Sequence, residues 1–449
     1  MTPRRQPSAG KPGIFRIALT ASAGATIEWY DFFIYGTAAA LVFPKLFFPA
    51  DIPPLAAQMA AFSTFAVGFI ARPVGGAVFG HLGDLFGRKK ALVTALMMMG
   101  LATAAIGLLP SYANAGPLAP VLLVALRFIQ GLAVGGQWGG AALLAIESAP
   151  PSRRGFYGSF VQVGVPLGVL LANVVFLAVG AVVAPDAFLA WGWRVPFLVS
   201  LALVGIGIYV QLNLEESVEF DAARAVGPDA PKARSPILSV LASHPKEILL
   251  AGGAFVANNT CFYIAITYVV AYGTATLELP RSLMLTSVMI GSCVMAPALI
   301  LCGWLSDHWG RRPPFMWGAA LTGLWAFAFF PLIETGEPRA IALSVSVELV
   351  LISLMYGPQA ALFAELFPVE VRYSGATLGY QIGSVLGGGF APIVATALFA
   401  RFQSSGAIAA YLFVMCAISL ACTAMLSARA RASATIGRSN TPLEGRGSK

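Results

Sequence analysis

Long apolar runs alternate along this chain with short polar and basic breaks. A helix needs about 20 apolar residues to cross a bilayer. Twelve runs reach that scale, at roughly 16–43, 56–80, 91–109, 118–146, 155–182, 192–213, 247–275, 282–303, 314–333, 338–364, 374–400 and 407–428. They are continuously apolar and lack the two-residue alternation of membrane-barrel strands, so they predict helices. The longest polar break runs from Leu214 to Pro245 and carries Glu215, Glu216, Glu219, Asp221 and Arg224. The expected organisation is an N-terminal six-helix bundle over 1–213, a cytoplasmic linker over 214–246, a C-terminal six-helix bundle over 247–428 and a basic cytoplasmic tail over 429–449. The tail is polar and is expected to be disordered.

Composition agrees. Of 449 residues, 58% are hydrophobic and 11% charged, against about 45–50% and 25% in soluble domains. The net charge of +8 does not form a nucleic-acid-binding stripe. The basic residues fall in short clusters between apolar runs. With both termini inside, 21 lysines and arginines fall in inner segments and 4 in outer ones, namely Lys45, Arg281, Arg339 and Arg401. That asymmetry sets the predicted orientation. Ala21-Ser22-Ala23 imitates a cleavage site, but the apolar stretch before it covers only Ile17–Thr20. The first helix is therefore expected to be retained. The five cysteines form no C-x-x-C and read as small packing residues. The three histidines are scattered, so neither metal nor cofactor is expected.

The two halves echo one another. GHLGDLFGRKK follows the second run and GWLSDHWGRR the eighth, placing Gly80, Asp84, Gly87 and Arg88 in register with Gly303, Asp307, Gly310 and Arg311. Glu147 precedes Arg154 by seven residues, as Glu365 precedes Arg372. Duplicated six-helix halves mark one class of transporter, with the substrate site near the midplane between them.

These loops, Gly83 included, resemble the signature of the major facilitator superfamily. IEWYDFFIYG, RPVGGAVFGHLGDLFGRKK and RFIQGLAVGGQWGGAALLAIESAPPSRRGFYGSF are similar to its metabolite:proton symporter group, which includes proline/betaine, α-ketoglutarate, citrate and shikimate permeases. The resemblance implies an all-α polytopic fold of twelve transmembrane helices in two pseudo-symmetric bundles. It also implies residence in a bacterial-type inner membrane and no enzymatic activity. Relatives often carry Glu where this chain has Gln137, so a charge role there does not transfer. The resemblance further implies that Asp84 docks at the inner end of the eleventh helix, near Arg372, and closes the inside.

Charges inside apolar runs are functional candidates by default. Glu28 and Asp31 lie three residues apart on one helical face, with Tyr35 nearby. Such a pair can take up a proton and release it as its surroundings alternate. The alternatives are permanent pairing with arginines and a place at the aqueous helix end. Arg127, with Gln130 one turn on, can grip a carboxylate in a two-bond fork; its alternative is an ion pair with Glu28 or Asp31. Arg72 reads equally as a functional residue and as a snorkelling or locally paired one. Asn258, Asn259 and Glu348 are further candidates for substrate contact. Gly375, Gly379, Gly383 and Gly387 form a stripe for close helix packing.

The expected activity is secondary active import of a small organic acid or zwitterionic metabolite by proton symport with alternating access. The alternatives are an uncoupled facilitator and a transporter-derived sensor. Expected partners are the metabolite, a proton and the lipid bilayer, with no nucleic acid, and one chain suffices for the mechanism. No G-x-x-x-x-G-K-[ST] is present to serve an ATP-driven pump.

Overall fold

The computed structural model describes residues 14–86, 88–135, 146, 149–212, 236–368 and 371–439. Among the described residues, twelve long helices carry the fold. In the first half they are α1 Ile14–Leu41, α2 Pro54–Phe86, α3 Arg88–Gly107, α4 Leu118–Gly135, α5 Arg154–Val182 and α6 Val195–Leu212. In the second they are α7 Pro245–Thr276, α8 Arg281–Trp309, α9 Arg312–Glu334, α10 Pro338–Leu366, α11 and α12 Ser405–Ser439. The α11 helix begins at Arg372, passes through a wider π stretch at Ser384–Gly389 and ends at Phe402. Among the described residues nine helices are long and apolar enough to cross a membrane.

Two elements depart from expectation. The α12 helix continues to Ser439, through much of the stretch expected to be a disordered tail. A short helix, Pro236–Ser243, lies within the expected linker.

The internal repeat is visible in packing. In the first half α1 packs on α5, α2 on α4 and α3 on α6. In the second half α7 packs on α11, α8 on α10 and α9 on α12, the same pairs displaced by six helices. The halves then meet through α5 with α8 and α2 with α11, which is again one contact seen twice.

Glycines permit the close crossings. A Cβ on Gly164 or Gly168 would lie 2.5 Å from the Cβ of Ala25 or 2.6 Å from that of Trp29 on α1. In the second half, a Cβ on Gly383 or Gly387 would lie 2.8 Å from the Gly252 carbonyl or 2.5 Å from the Val256 carbonyl on α7. The glycine stripe of α11 thus serves packing within the second half. Tryptophans 304, 309 and 317 are exposed at the predicted inner ends of α8 and α9, matching the aromatic belts of membrane–water boundaries.

Candidate functional site

The α4 helix turns Leu123, Arg127, Gln130, Gly131 and Val134 inward, a stripe at three- and four-residue spacing. Its glycines bring α2 against it, with Gly131 facing the Gly68 carbonyl and Gly135 the Arg72 carbonyl. That crossing sets two arginines together in the interior. Arg72 is 1% exposed and Arg127 0%.

Both guanidiniums lie against aromatic rings. The Cζ of Arg127 is 4.1 Å from the ring centroids of Phe32 and Tyr35 and 4.8 Å from Phe65. The Cζ of Arg72 is 4.3 Å from Phe32, 4.4 Å from Phe69 and 5.5 Å from Trp29. Because Phe32 is common to both, the two Cζ atoms are no more than 8.4 Å apart. At an effective dielectric of ~20 that distance means at least about 2 kcal/mol of repulsion. Among the described residues no carboxylate lies within ion-pairing distance of either guanidinium.

Arg127 donates from Nη1 to Gln130 Oε1 at 3.1 Å, and Gln130 Nε2 donates to Thr103 Oγ1 at 2.7 Å. Gln130 therefore holds the arginine from behind. The Tyr35 hydroxyl donates to Thr64 Oγ1 at 2.7 Å, so its ring, rather than its oxygen, faces Arg127. Arg72 Nε and Nη2 and Arg127 Nη2 have no hydrogen-bond partner among the described residues. Two buried cations with spare donors form a site that calls for an anion.

A small cavity lies between the halves. Trp29 and Val165 line it from the first half, and Asn258, Asn259, Phe262, Tyr263, Tyr356 and Tyr380 from the second. Tyr263 also reaches Arg72, which links the cavity to the arginine pair. Asn258 Oδ1 and Asn259 Nδ2 are buried without partners among the described residues. Little free space remains between these side chains, room for roughly one water.

The acids stand apart from this pair. Asp31 is fully buried, beside Ser200 of α6, and neither of its oxygens has a hydrogen-bond partner among the described residues. Glu28 is partly buried and interacts electrostatically with Asp31. The sequence-level alternative of an Arg127 ion pair with either acid is not present. Glu348 is 1% exposed and sits beside Cys261 of α7, which in turn contacts Cys416 of α12 at 3.7 Å between sulfurs. That position is inside the second bundle. Glu348 is not among the cavity-lining residues.

Both ends of α8 contact the region of α5. At the predicted inner face, Asp307 accepts the backbone N–H groups of Gly155 at 2.9 Å and Phe156 at 2.8 Å. These belong to the first turn of α5, where the helix dipole favours a carboxylate. Arg311 pairs with Asp307 and donates from Nε to Glu365 Oε1 at 3.2 Å. Arg154 opens α5 and Arg372 opens α11. Between this contact and the cavity, Gln162 donates to Gln359 across the halves at 2.7 Å. At the opposite face, the Arg281 guanidinium lies 4.0 Å from the Phe188 ring. Gly80 and Gly83 lie in the last turns of α2; Gly87, Gln137, Glu147 and the side chains of Asp84 and Arg88 lie outside the described residues, and so does the expected docking of Asp84 near Arg372.

The sequence left Arg72 open between function and snorkelling or local pairing, and it did not single out Trp29 or the three tyrosines. The only signal for Arg72 was a cation within a long apolar run.

Comparison with known proteins places this arrangement. The chain matches the Major Facilitator Superfamily over residues 21–379. It is 43% identical over 413 residues to the inner membrane metabolite transport protein YhjE of Escherichia coli, covering 90% of this chain and 92% of that one. It is 42% identical over 416 residues to the shikimate transporter of the same organism, covering 92% and 94%. The proline/betaine transporter of Escherichia coli is 34% identical over 420 residues, covering 91% and 82%. Among solved structures, a D-xylose-proton symporter superposes with a TM-score of 0.71 at 18% identity, covering 92% of this chain and 97% of that one; this likeness bears on the fold. The chain is a multi-pass inner-membrane transporter of small molecules rather than an enzyme, and it belongs to the major facilitator superfamily.

Proposed function

We propose that this protein imports a small organic anion together with a proton, by alternating access between its two halves, with both termini in the cytoplasm. The observation that carries the reading is the buried pair Arg72 and Arg127, free of any carboxylate partner among the described residues. A substrate carboxylate would supply the missing charge in a two-bond fork. Asn258 and Asn259, with unpaired polar atoms in the cavity wall, would take its polar groups.

Glu28 and Asp31 are the proposed proton carriers. A buried carboxylate without partners costs several kcal/mol, and a proton removes that charge. Asp31 and Phe32 are neighbours on α1, so proton state and arginine position share one helical turn. The Asp307 and Arg281 contacts are the proposed inner and outer closures, which break in turn as the halves rock.

A zwitterion is a second reading, favoured by the aromatic lining. Trp29, Phe262, Tyr263, Tyr356 and Tyr380 present ring faces that attract an ammonium group. The similarity to shikimate and proline/betaine transporters supports both classes.

The test is uptake by purified protein in proteoliposomes. The panel is labelled shikimate, proline, glycine betaine and simple carboxylic acids, with and without an inward proton gradient. Accumulation of an acid that a protonophore abolishes is the expected result. Equilibration indifferent to the gradient would make the protein a facilitator and the acid pair a structural feature.

A further inference from the structure

We propose that Phe32 is a positioning residue for the substrate's anionic group, a single ring that carries both guanidiniums of the transport site. The inference rests on the reading of Arg72 and Arg127 as the anion-binding pair. Among the described residues, Phe32 is the ring with both guanidinium carbons within 5 Å of its centroid, at 4.3 Å for Arg72 and 4.1 Å for Arg127. Tyr35 and Phe65 stand against Arg127 alone, while Trp29 and Phe69 stand against Arg72 alone.

The ring itself is held firmly. Phe32 is 2% exposed. Phe69 meets it edge-on at 5.1 Å and an interplanar angle of 89°, and Phe65 tilts against it at 5.3 Å. From the other half, Tyr263 approaches at 6.3 Å. Its position is therefore fixed by α2 of its own half and α7 of the other.

A phenyl face carries negative quadrupole density that attracts a cation lying over it. Two like charges confined in one apolar interior would otherwise separate or seek carboxylates. A shared ring attracts both and limits how far apart they sit. A guanidinium laid against a ring keeps its N–H edge free, and that edge is what grips a carboxylate. Phe32 therefore acts through the arginines rather than by touching substrate. Its neighbour Asp31 places the same ring next to the proposed proton site, so any movement of α1 carries the arginine platform with it.

The test uses the full-length protein with Phe32 replaced in turn by 4-fluoro-, 3,5-difluoro- and 3,4,5-trifluorophenylalanine. Fluorine drains the ring face while nearly preserving its shape. The readouts are KM and maximal uptake rate in proteoliposomes, with shikimate as the first probe and the rest of the carboxylate panel after it, and the thermal midpoint of the detergent-solubilised protein. KM is expected to rise step by step with fluorine number, on the order of 5–30-fold across the series. Maximal rate should change less, as expected for lost substrate binding. Phe32→Tyr should stay near the parent, and Phe32→Leu should resemble the trifluoro protein. A flat KM series in a protein that takes up the probe overturns the positioning role and leaves the transport reading intact. A midpoint that falls while KM stays flat also overturns it, because the ring is then a packing element only. If the parent accumulates no member of the panel, the anion-site reading fails and the positioning role fails with it.

Discussion

Replacing Arg72 by methionine should stabilise the empty protein while abolishing accumulation. Arg72 and Arg127 lie within 8.4 Å of one another, so Arg72→Met relieves about 2 kcal/mol of repulsion at an effective dielectric of ~20. The change also removes Nε and Nη2, buried donors without partners among the described residues. Each such group costs about 1–3 kcal/mol. Against this stand the ring contacts with Phe32 and Phe69, worth roughly 0.5–2 kcal/mol. Those terms sum to a gain of roughly 2–7 kcal/mol, in the direction seen when buried ion pairs give way to apolar side chains of similar volume. In a chain of this size the thermal midpoint should rise by a few degrees. The assay is a thermal melt of purified protein in detergent, beside uptake of the carboxylate panel. Stability gained with transport lost is the signature of a residue kept for binding. A midpoint lowered by several degrees with uptake intact would refute the reasoning, because the guanidinium would then be serving the fold.

Three other outcomes follow from the same geometry. Asp31→Asn should abolish uphill accumulation yet leave substrate exchange between preloaded and external pools, measured by counterflow; loss of both would assign Asp31 to binding or folding instead. Asp307→Asn removes the charge that caps α5 at Gly155 and Phe156. Charge-assisted hydrogen bonds are worth about 1.5–3 kcal/mol, so labelling of a cysteine at buried Ser159 from the predicted inner face should accelerate roughly 10–100-fold, and an unchanged rate would deny Asp307 a closing role. Gly387→Val places a Cβ 2.5 Å from the Val256 carbonyl and 2.8 Å from the Asn259 Cβ. Such overpacking costs about 1–3 kcal/mol or more, and the expected result is a reduced monodisperse peak in size-exclusion chromatography; normal yield with normal uptake would show that α11 can shift away from α7.

Much of the architecture was legible because bilayer thickness acts directly on sequence. The apolar runs, the duplicated G-x-L-x-D-x-x-G-R loops and the split of basic residues all record one-dimensional constraints. Arg127 was legible for the same reason, as a lone cation amid apolar residues of α4. Arg72 was legible only in part, because an arginine before Pro73 toward one end of a helix reads equally as a snorkelling side chain. Tyr263, Tyr356 and Tyr380 read as ordinary core residues, and only the packing of α7, α10 and α11 brings them to one cavity. Gln130 stands one turn from Arg127, and its hydrogen bonds to Arg127 and Thr103, which give it a supporting place, could come only from the packing. The end of α12 lies outside any apolar run. Alanine and arginine are good helix formers, but the segment after Ser427 is too polar to register as a span.

The central claim is that an organic anion and a proton move together through a site built on two unpaired arginines. The most direct test is a pH recording outside lightly buffered proteoliposomes when an accumulated substrate is added without an imposed gradient. The account predicts external alkalinisation that tracks uptake, is abolished by a protonophore, and disappears when Glu28→Gln and Asp31→Asn are combined. Uptake with no pH change, or alkalinisation that survives loss of both acids, would contradict it.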